Sequence, residues 1–110
     1  MKEAMELEML KILIADSTEE FSAALSEHLR GEFYIRTCSQ GNQTLELLGS
    51  YRPEILVLDL MLPGLDGISI LQAAEELGLH PMVLATSRFI SPYVMDAMDR
   101  FGVGYLMVKP

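Results

Sequence analysis

The chain has 110 residues, half of them hydrophobic, with sixteen acidic side chains against eight basic ones and a net charge of −8. That length holds one domain around one core, and the apolar share excludes a disordered chain. The acidic balance excludes electrostatic attachment of this segment to DNA or an anionic membrane, and no apolar run approaches the length of a membrane span.

The opening MKEAMELEML lacks the basic-then-apolar pattern of a secretory leader and is read as an N-terminal extension, residues 1–10. Ile12 to Ala15 is an apolar run, a strand, that ends at Asp16. Ser17 with Glu20 three residues later has capping-box spacing, which predicts a helix starting there with Phe21, Ala24, Leu25 and Leu29 on one face. Phe33 to Thr37 is rich in β-formers, and Cys38 directly after it is the single cysteine. With no partner for a disulfide, that residue fits a reducing, cytoplasmic setting and reads as a small, partly buried apolar side chain. Leu45, Leu47 and Leu48 mark a short second helix ending near Gly49-Ser50.

Ile55-Leu56-Val57-Leu58 is a continuous apolar run, the pattern of a strand buried on both faces. It ends on Asp59 and is broken by the turn signals Pro63-Gly64 and Asp66-Gly67, with Asp66 read as a turn residue. Ile68, Leu71, Ala74 and Leu77 predict a third helix stopped by Gly78, and Met82 to Ala85 a further buried strand. Ser91-Pro92 is a cap followed by a first-turn proline, and Val94, Ala97, Met98 and Phe101 follow at helical spacing before Gly102. Tyr105 to Val108 is the last strand, ahead of Lys109-Pro110. His28, His80, Asp96 and Asp99 read as solvated positions, and neither histidine has a partner at metal-ligand spacing.

Strands and helices therefore alternate from first to last, and right-handed crossovers make the sheet mostly parallel with helices on both faces. Asp16, Asp59, Thr86 and Lys109 then stand at the C-terminal edge of strands one, three, four and five, the edge where open α/β sheets build their sites. Each has a plain structural reading when taken alone: a turn cap, a loop hydroxyl, a solvated lysine. Together, at matching strand ends, they point to a site.

KILIADS, PEILVLDLMLPGLDG, VLATS and the terminal KP resemble the receiver domain of two-component response regulators, over residues 11 to 110. Within that family, ADSTEEFSAALSEHL and GVGYLMVKP are most similar to the stage-zero sporulation regulator A type. The resemblance implies a flavodoxin-like, doubly wound sheet of five parallel strands in the order 2-1-3-4-5. It implies Asp59 as phosphoacceptor, taking a phosphoryl group from a phosphohistidine on a sensor histidine kinase or histidine phosphotransfer protein. It also implies Mg²⁺ held by Asp16, Asp59 and the Met61 carbonyl, a hard-oxygen set suited to that ion. Lys109 and the Thr86 hydroxyl would meet the phosphoryl oxygens, and Lys109 would neutralise the acid pair before modification. The domain would be a switch rather than an enzyme, at most hydrolysing its own aspartyl phosphate, with DNA bound only through a separate output domain.

Three departures from the family pattern stand out. Ser17 occupies a usually acidic position expected to touch the metal, and a hydroxyl is a weaker, neutral ligand, so Mg²⁺ is expected to bind weakly. Leu106 stands where an aromatic often completes the switch, and Tyr105, one residue earlier, points to the other face of its strand. The sequence reaches Pro110 before the fifth helix that the family carries. Strands one and five are then expected to lack part of their cover, which Met5, Leu7, Met9 and Leu10 could fill in part, and exposed apolar area of that kind favours a homodimer. These departures also keep open a degenerate receiver that binds proteins without phosphate control. A flavin protein would want a phosphate loop where Asp-Ser-Thr-Glu-Glu stands, and an aspartate-nucleophile phosphatase would want an acid where Met61 stands.

Overall fold

The computed structural model of the chain describes residues 9–109. Among them five strands and four helices alternate: β1 (Lys11–Ala15), α1 (Glu19–Leu29), β2 (Tyr34–Cys38), α2 (Gly41–Ser50), β3 (Ile55–Asp59), α3 (Gly67–Glu76), β4 (Met82–Ser87), α4 (Pro92–Arg100) and β5 (Tyr105–Val108). The strands form one sheet in the order β2-β1-β3-β4-β5, every pairing parallel. This is the flavodoxin-like topology expected from the sequence. β1 and β3 are neighbours although a strand and two helices separate them in the chain, so the order reverses between them and a crevice opens beyond their C-terminal ends.

Burial explains the uninterrupted apolar runs. Leu13, Ala15, Leu56, Leu58 and Ala85 face a core shared with Leu48 of α2, Ile70, Leu71 and Ala74 of α3, and Ala97 and Met98 of α4. Ile12, Ile14 and Val57 face the opposite way, against Phe21, Leu25 and Leu29 of α1. Both faces of β1 and β3 are thus apolar, as central parallel strands require. A buried leucine such as Leu13, Leu56 or Leu58 contributes on the order of 2–5 kcal/mol against truncation to alanine.

Several local expectations give way to tertiary structure. The N-cap of α1 is Thr18, not Ser17, and neither side chain caps it; the Thr18 N–H is instead bound by the Asp16 carboxylate at 2.7 Å. The capping-box reading fails because the helix starts one residue later, with Thr18 as N-cap and no side-chain cap. On the same helix Ser22 is buried and Ala24 exposed, while at the end of α3 Leu77 is 63% exposed. Asp66 is more than a turn residue: it is the N-cap of α3, accepting from the Ser69 N–H at 3.0 Å. β4 runs on through Thr86 to Ser87, and α2 begins at Gly41, well before its first leucine. Ser91 and Pro92 cap α4 as expected, the Ser91 Oγ accepting from the Val94 N–H at 3.1 Å.

The uncovered part of the sheet is β4–β5, not β1. α1 buries Ile12 and Ile14, whereas Met82 and Tyr105, on the same sheet face, are 60% and 63% exposed. Of the extension residues expected to help cover the sheet, Met5 and Leu7 lie outside the described residues, Met9 is half-buried and Leu10 exposed.

Candidate functional site

The register of the sheet assembles the site. Asp59 is the last residue of β3 and pairs with Thr86 of β4, while Asp16 follows β1 directly and Lys109 follows β5. Three backbone bonds extend the ladder past the strand ends: Asp16 N–H to the Cys38 carbonyl (3.0 Å), Leu60 N–H to Thr86 (2.9 Å) and Lys109 N–H to Ser87 (2.8 Å). Asp59 and Thr86 lie at the ends of their strands and Asp16 and Lys109 follow theirs directly, so the four positions proposed from the sequence share one edge of the sheet.

Their geometry is that of one ammonium between two carboxylates. Lys109 Nζ lies 2.7 Å from Asp16 Oδ2 and 3.4 Å from Asp59 Oδ2. All three side chains are at least nine-tenths buried. Each carboxylate gives its other oxygen to a backbone N–H two residues ahead, Asp16 Oδ1 to Thr18 (2.7 Å) and Asp59 Oδ1 to Met61 (2.9 Å). These charge-assisted bonds fix both side chains. The pairing leaves one formal negative charge unmatched, in a setting where desolvation makes that costly. Asp16 Oδ2 touches the ammonium closely but makes no aligned hydrogen bond, and the fully buried Thr86 Oγ1 has no partner among the described residues.

The neighbouring loops are built to hold this edge. In the β4–α4 loop the Ser87 hydroxyl donates to the Phe89 carbonyl at 2.7 Å and accepts from the Phe89 N–H at 3.2 Å, folding the chain directly after Thr86. The β3–α3 loop is tied by Gly67 N–H to the Leu60 carbonyl (3.2 Å) and by Gly41 N–H to the Pro63 carbonyl (2.9 Å). A side chain at Gly67 would collide with Leu60 Cα at 2.7 Å, so only glycine lets the loop close behind Asp59.

Two clefts reach the site. One of about 310 Å³ is lined by Ser17, Thr18, Asp59, Met61, Arg88, Phe89 and Lys109. The other, about 420 Å³, lies on the Asp16 side among Ser17, Glu19, Ser22, Thr37 and Gln43. Ser17, exposed, borders both, and the Met61 side chain is 61% exposed at the mouth of the first. Cys38 is buried behind this edge with its Sγ 3.1 Å from Thr44 Oγ1, and burial pushes its thiol pKa up, the Thr44 contact opposing in part. Leu106 packs toward the helix-covered core, whereas Tyr105 stands exposed on the other face of β5, as strand alternation requires.

Among the described residues no group of three or more His, Cys, Asp or Glu side chains is placed to hold a metal. Zinc-type caging is thereby absent from them, but a minimal magnesium set is not. Two adjacent buried carboxylates, one with an oxygen lacking an aligned donor, are hard ligands of the type Mg²⁺ takes while keeping several waters.

Sequence reasoning missed the parts that act through space. Phe21 reads as one more apolar residue of α1, yet its ring centroid lies 5.2 Å from Lys109 Nζ. Gly41 carries no local signal, because its close approach to the β3–α3 loop involves residues more than twenty positions away. Arg88 and Phe89 drew no reading from the sequence, although both line the cleft.

An acid pair in contact with a lysine, at the switch point of a doubly wound five-stranded sheet, marks an α/β domain with a charged site at its C-terminal edge. The chain matches the response regulator receiver domain family over residues 12–110, and it belongs to that family. It is similar in fold to the N-terminal domain of an uncharacterized protein from Wolinella succinogenes, with a TM-score of 0.86 at 25% identity over 92% of this chain and 82% of that one. A chemotaxis response regulator of Vibrio cholerae, CheY4, superposes with a TM-score of 0.82 at 20% identity, covering 93% and 88%. A LuxR-family DNA-binding response regulator from Staphylococcus aureus gives 0.81 at 21%, covering 91% and 86%. At these identities the structural likeness speaks for the fold.

Proposed function

We propose that this receiver domain, residues 11–110, accepts a phosphoryl group on Asp59. The observation that carries the reading is the buried lysine held between Asp16 and Asp59 beside a cleft of about 310 Å³. An Asp59 oxygen would attack phosphorus in line while the bond from phosphorus to the donor's imidazole nitrogen breaks, the imidazole leaving with its electron pair. The donor is a phosphohistidine on a sensor histidine kinase or a histidine phosphotransfer protein, the partners that membership in the family implies.

The chain's own residues supply most of what the transfer needs. The Met61 N–H holds one Asp59 oxygen and so orients the carboxylate toward the cleft. Lys109 is within a short swing of any oxyanion on Asp59, and Thr86 Oγ1 has its donor capacity free. Asp16, Asp59 and the Met61 carbonyl would hold Mg²⁺, whose chemistry is to offset repulsion between the carboxylate and phosphoryl oxygens. Ser17 adds a neutral oxygen where a second acid would add charge, which supports weak binding. The output follows from a shifted equilibrium at the β4–α4 face, passed to a DNA-binding output domain of the sporulation-regulator type. The setting is the cytoplasm; among the described residues no helix is long and apolar enough to cross a membrane.

Intact mass after incubation with acetyl phosphate, with and without Mg²⁺, tests the reading. The expected result is a Mg²⁺-dependent gain of one phosphoryl group, lost in Asp59→Asn. No gain at high Mg²⁺ from folded protein would overturn it and leave a phosphate-independent binding module. Ser17→Asp is expected to tighten Mg²⁺ binding about tenfold, equivalent to ~1.4 kcal/mol, read by titration calorimetry.

A further inference from the structure

The lysine is off-centre. Lys109 follows β5, and the sheet order places Asp59 two strands away and Asp16 three. With strands about 4.8 Å apart, an ammonium extending across the edge meets Asp59 first. It nevertheless rests against Asp16 at 2.7 Å and stands 3.4 Å from Asp59. Backbone hydrogen bonding does not explain the preference, because both carboxylates present one oxygen and give the other to an N–H two residues ahead. What differs is the α1 side. The Phe21 ring, half-buried against the Ile12, Ile14 and Val57 cluster, has its centroid 5.2 Å from Lys109 Nζ. That is within cation–π range, and the interaction is strongest for a desolvated cation such as this one, whose side chain is 9% exposed.

We propose that Phe21 is a positioning residue for Lys109: its ring face draws the ammonium into close contact with Asp16, while the aligned Lys109 hydrogen bond goes to Asp59 Oδ2 at 3.4 Å. The consequence for phosphoryl transfer rests on the reading of Asp59 as acceptor; the placement of the lysine does not.

A double-mutant cycle tests the placement without phosphate. Phe21→Leu, Lys109→Met and their combination are compared by equilibrium urea unfolding, with Phe21→Tyr as the variant that keeps the ring. Phe21→Leu is expected to lower the folding constant about five- to tenfold more when Lys109 is present than in the Lys109→Met background, the range of a partly desolvated cation–π contact. Phe21→Tyr is expected to lose less than twofold. The Asp16 and Asp59 side-chain carboxyl ¹³C resonances are expected to move in Phe21→Leu and to stay in place in Phe21→Tyr. A coupling below twofold, or carboxyl resonances in Phe21→Leu that match the parent, would overturn the proposal. Acetyl phosphate then reads the consequence: slower uptake in Phe21→Leu than in Phe21→Tyr. If the parent protein takes up no phosphate, the acceptor reading fails while the cycle and the carboxyl resonances still decide the role of Phe21.

Discussion

Alanine at Gly41 and alanine at Gly49 should have opposite effects, although both positions belong to α2. At Gly41 an added Cβ would overlap the Leu65 carbonyl oxygen and lie 2.6 Å from Leu65 C and 2.7 Å from its Cα. Carbon atoms in ordinary contact sit about 3.5–4.0 Å apart, so the helix and the β3–α3 loop must separate by roughly 1 Å. The obstruction is backbone rather than the tip of a flexible side chain, and the loop is pinned there by the Gly41 N–H bond to Pro63. Overpacking of this kind costs about 1–3 kcal/mol. Alanine's helical advantage over glycine returns about 0.5–1 kcal/mol. The net expectation is a loss of about 1 kcal/mol, a fall in Tm of about 4–5 °C for a domain of this size. At Gly49 nothing lies within 4 Å of the added Cβ, the residue is exposed, and only the propensity gain remains, about +0.5 kcal/mol. Urea denaturation of the two variants side by side measures both signs. Equal effects, or a Gly41→Ala protein as stable as the parent, would refute the close-approach argument. Because the displaced loop carries the Met61 N–H that orients Asp59, Gly41→Ala should also weaken Mg²⁺ binding, whereas Gly49→Ala should not.

Arg52 adopts φ 51° one residue beyond the C-cap of α2, a left-handed position that favours glycine. Arg52→Gly should therefore stabilise the domain by about 0.5–1 kcal/mol, seen as a higher urea midpoint. Burial raises the Cys38 pKa above its ordinary 9.0, so above that pH the unfolded chain loses its thiol proton before the folded one does. The associated stability is complete below about pH 9.0 and is lost as pH rises through the folded value; urea midpoints between pH 8 and 10.5 should fall more steeply in the parent than in Cys38→Ala. Tyr51, also raised by burial, adds a loss of the same sign in both proteins. Thr86→Val should raise resting stability by about 1 kcal/mol, since it removes a fully buried hydroxyl without a partner, while slowing acetyl phosphate uptake; a Thr86→Val protein less stable than the parent would show that the hydroxyl is satisfied after all.

What the sequence made legible, and what it hid, divides along the range of the physics involved. β1 and β3 were readable because a strand covered on both faces must be apolar throughout, and α4 because Ser91 and Pro92 carry their own capping chemistry. Asp16, Asp59, Thr86 and Lys109 were readable because each ends such a run and parallel order brings those ends together. The start of α1 was not, since the helix begins after Thr18, whose N–H the Asp16 carboxylate binds, and no side chain caps it. The start of α2 was hidden for a similar reason: it is set by the contact of Gly41 with Pro63 and Leu65, a loop that folds back from beyond β3. The role of Phe21 is invisible in periodicity, which assigns it to the apolar face of α1 and is correct as far as it goes; that the same ring meets an ammonium depends on Lys109, eighty-eight positions on.

The cost of the edge is itself an argument for its use. A buried lysine between two acids is weak evidence for stability, because desolvation offsets most of the attraction and hydrophobic replacements of similar volume are often as stable or more so. Here the fully buried Thr86 hydroxyl has no partner among the described residues, a penalty of about 1–3 kcal/mol. Elsewhere this sheet has no difficulty burying apolar side chains: Leu13, Ile14, Leu56 and Leu58 are fully enclosed one to three positions before the acids. A fold selected only to pack would continue that pattern to the strand ends. The groups Asp16, Asp59, Thr86 and Lys109 instead gather at one edge, the carboxylates anchored by backbone bonds, with Asp59 and Lys109 lining a cleft and Thr86 fully buried. That combination is the mark of a surface preorganised for a charged ligand that completes it. Opposite signs of the stability and uptake changes in Thr86→Val would distinguish it from ordinary packing.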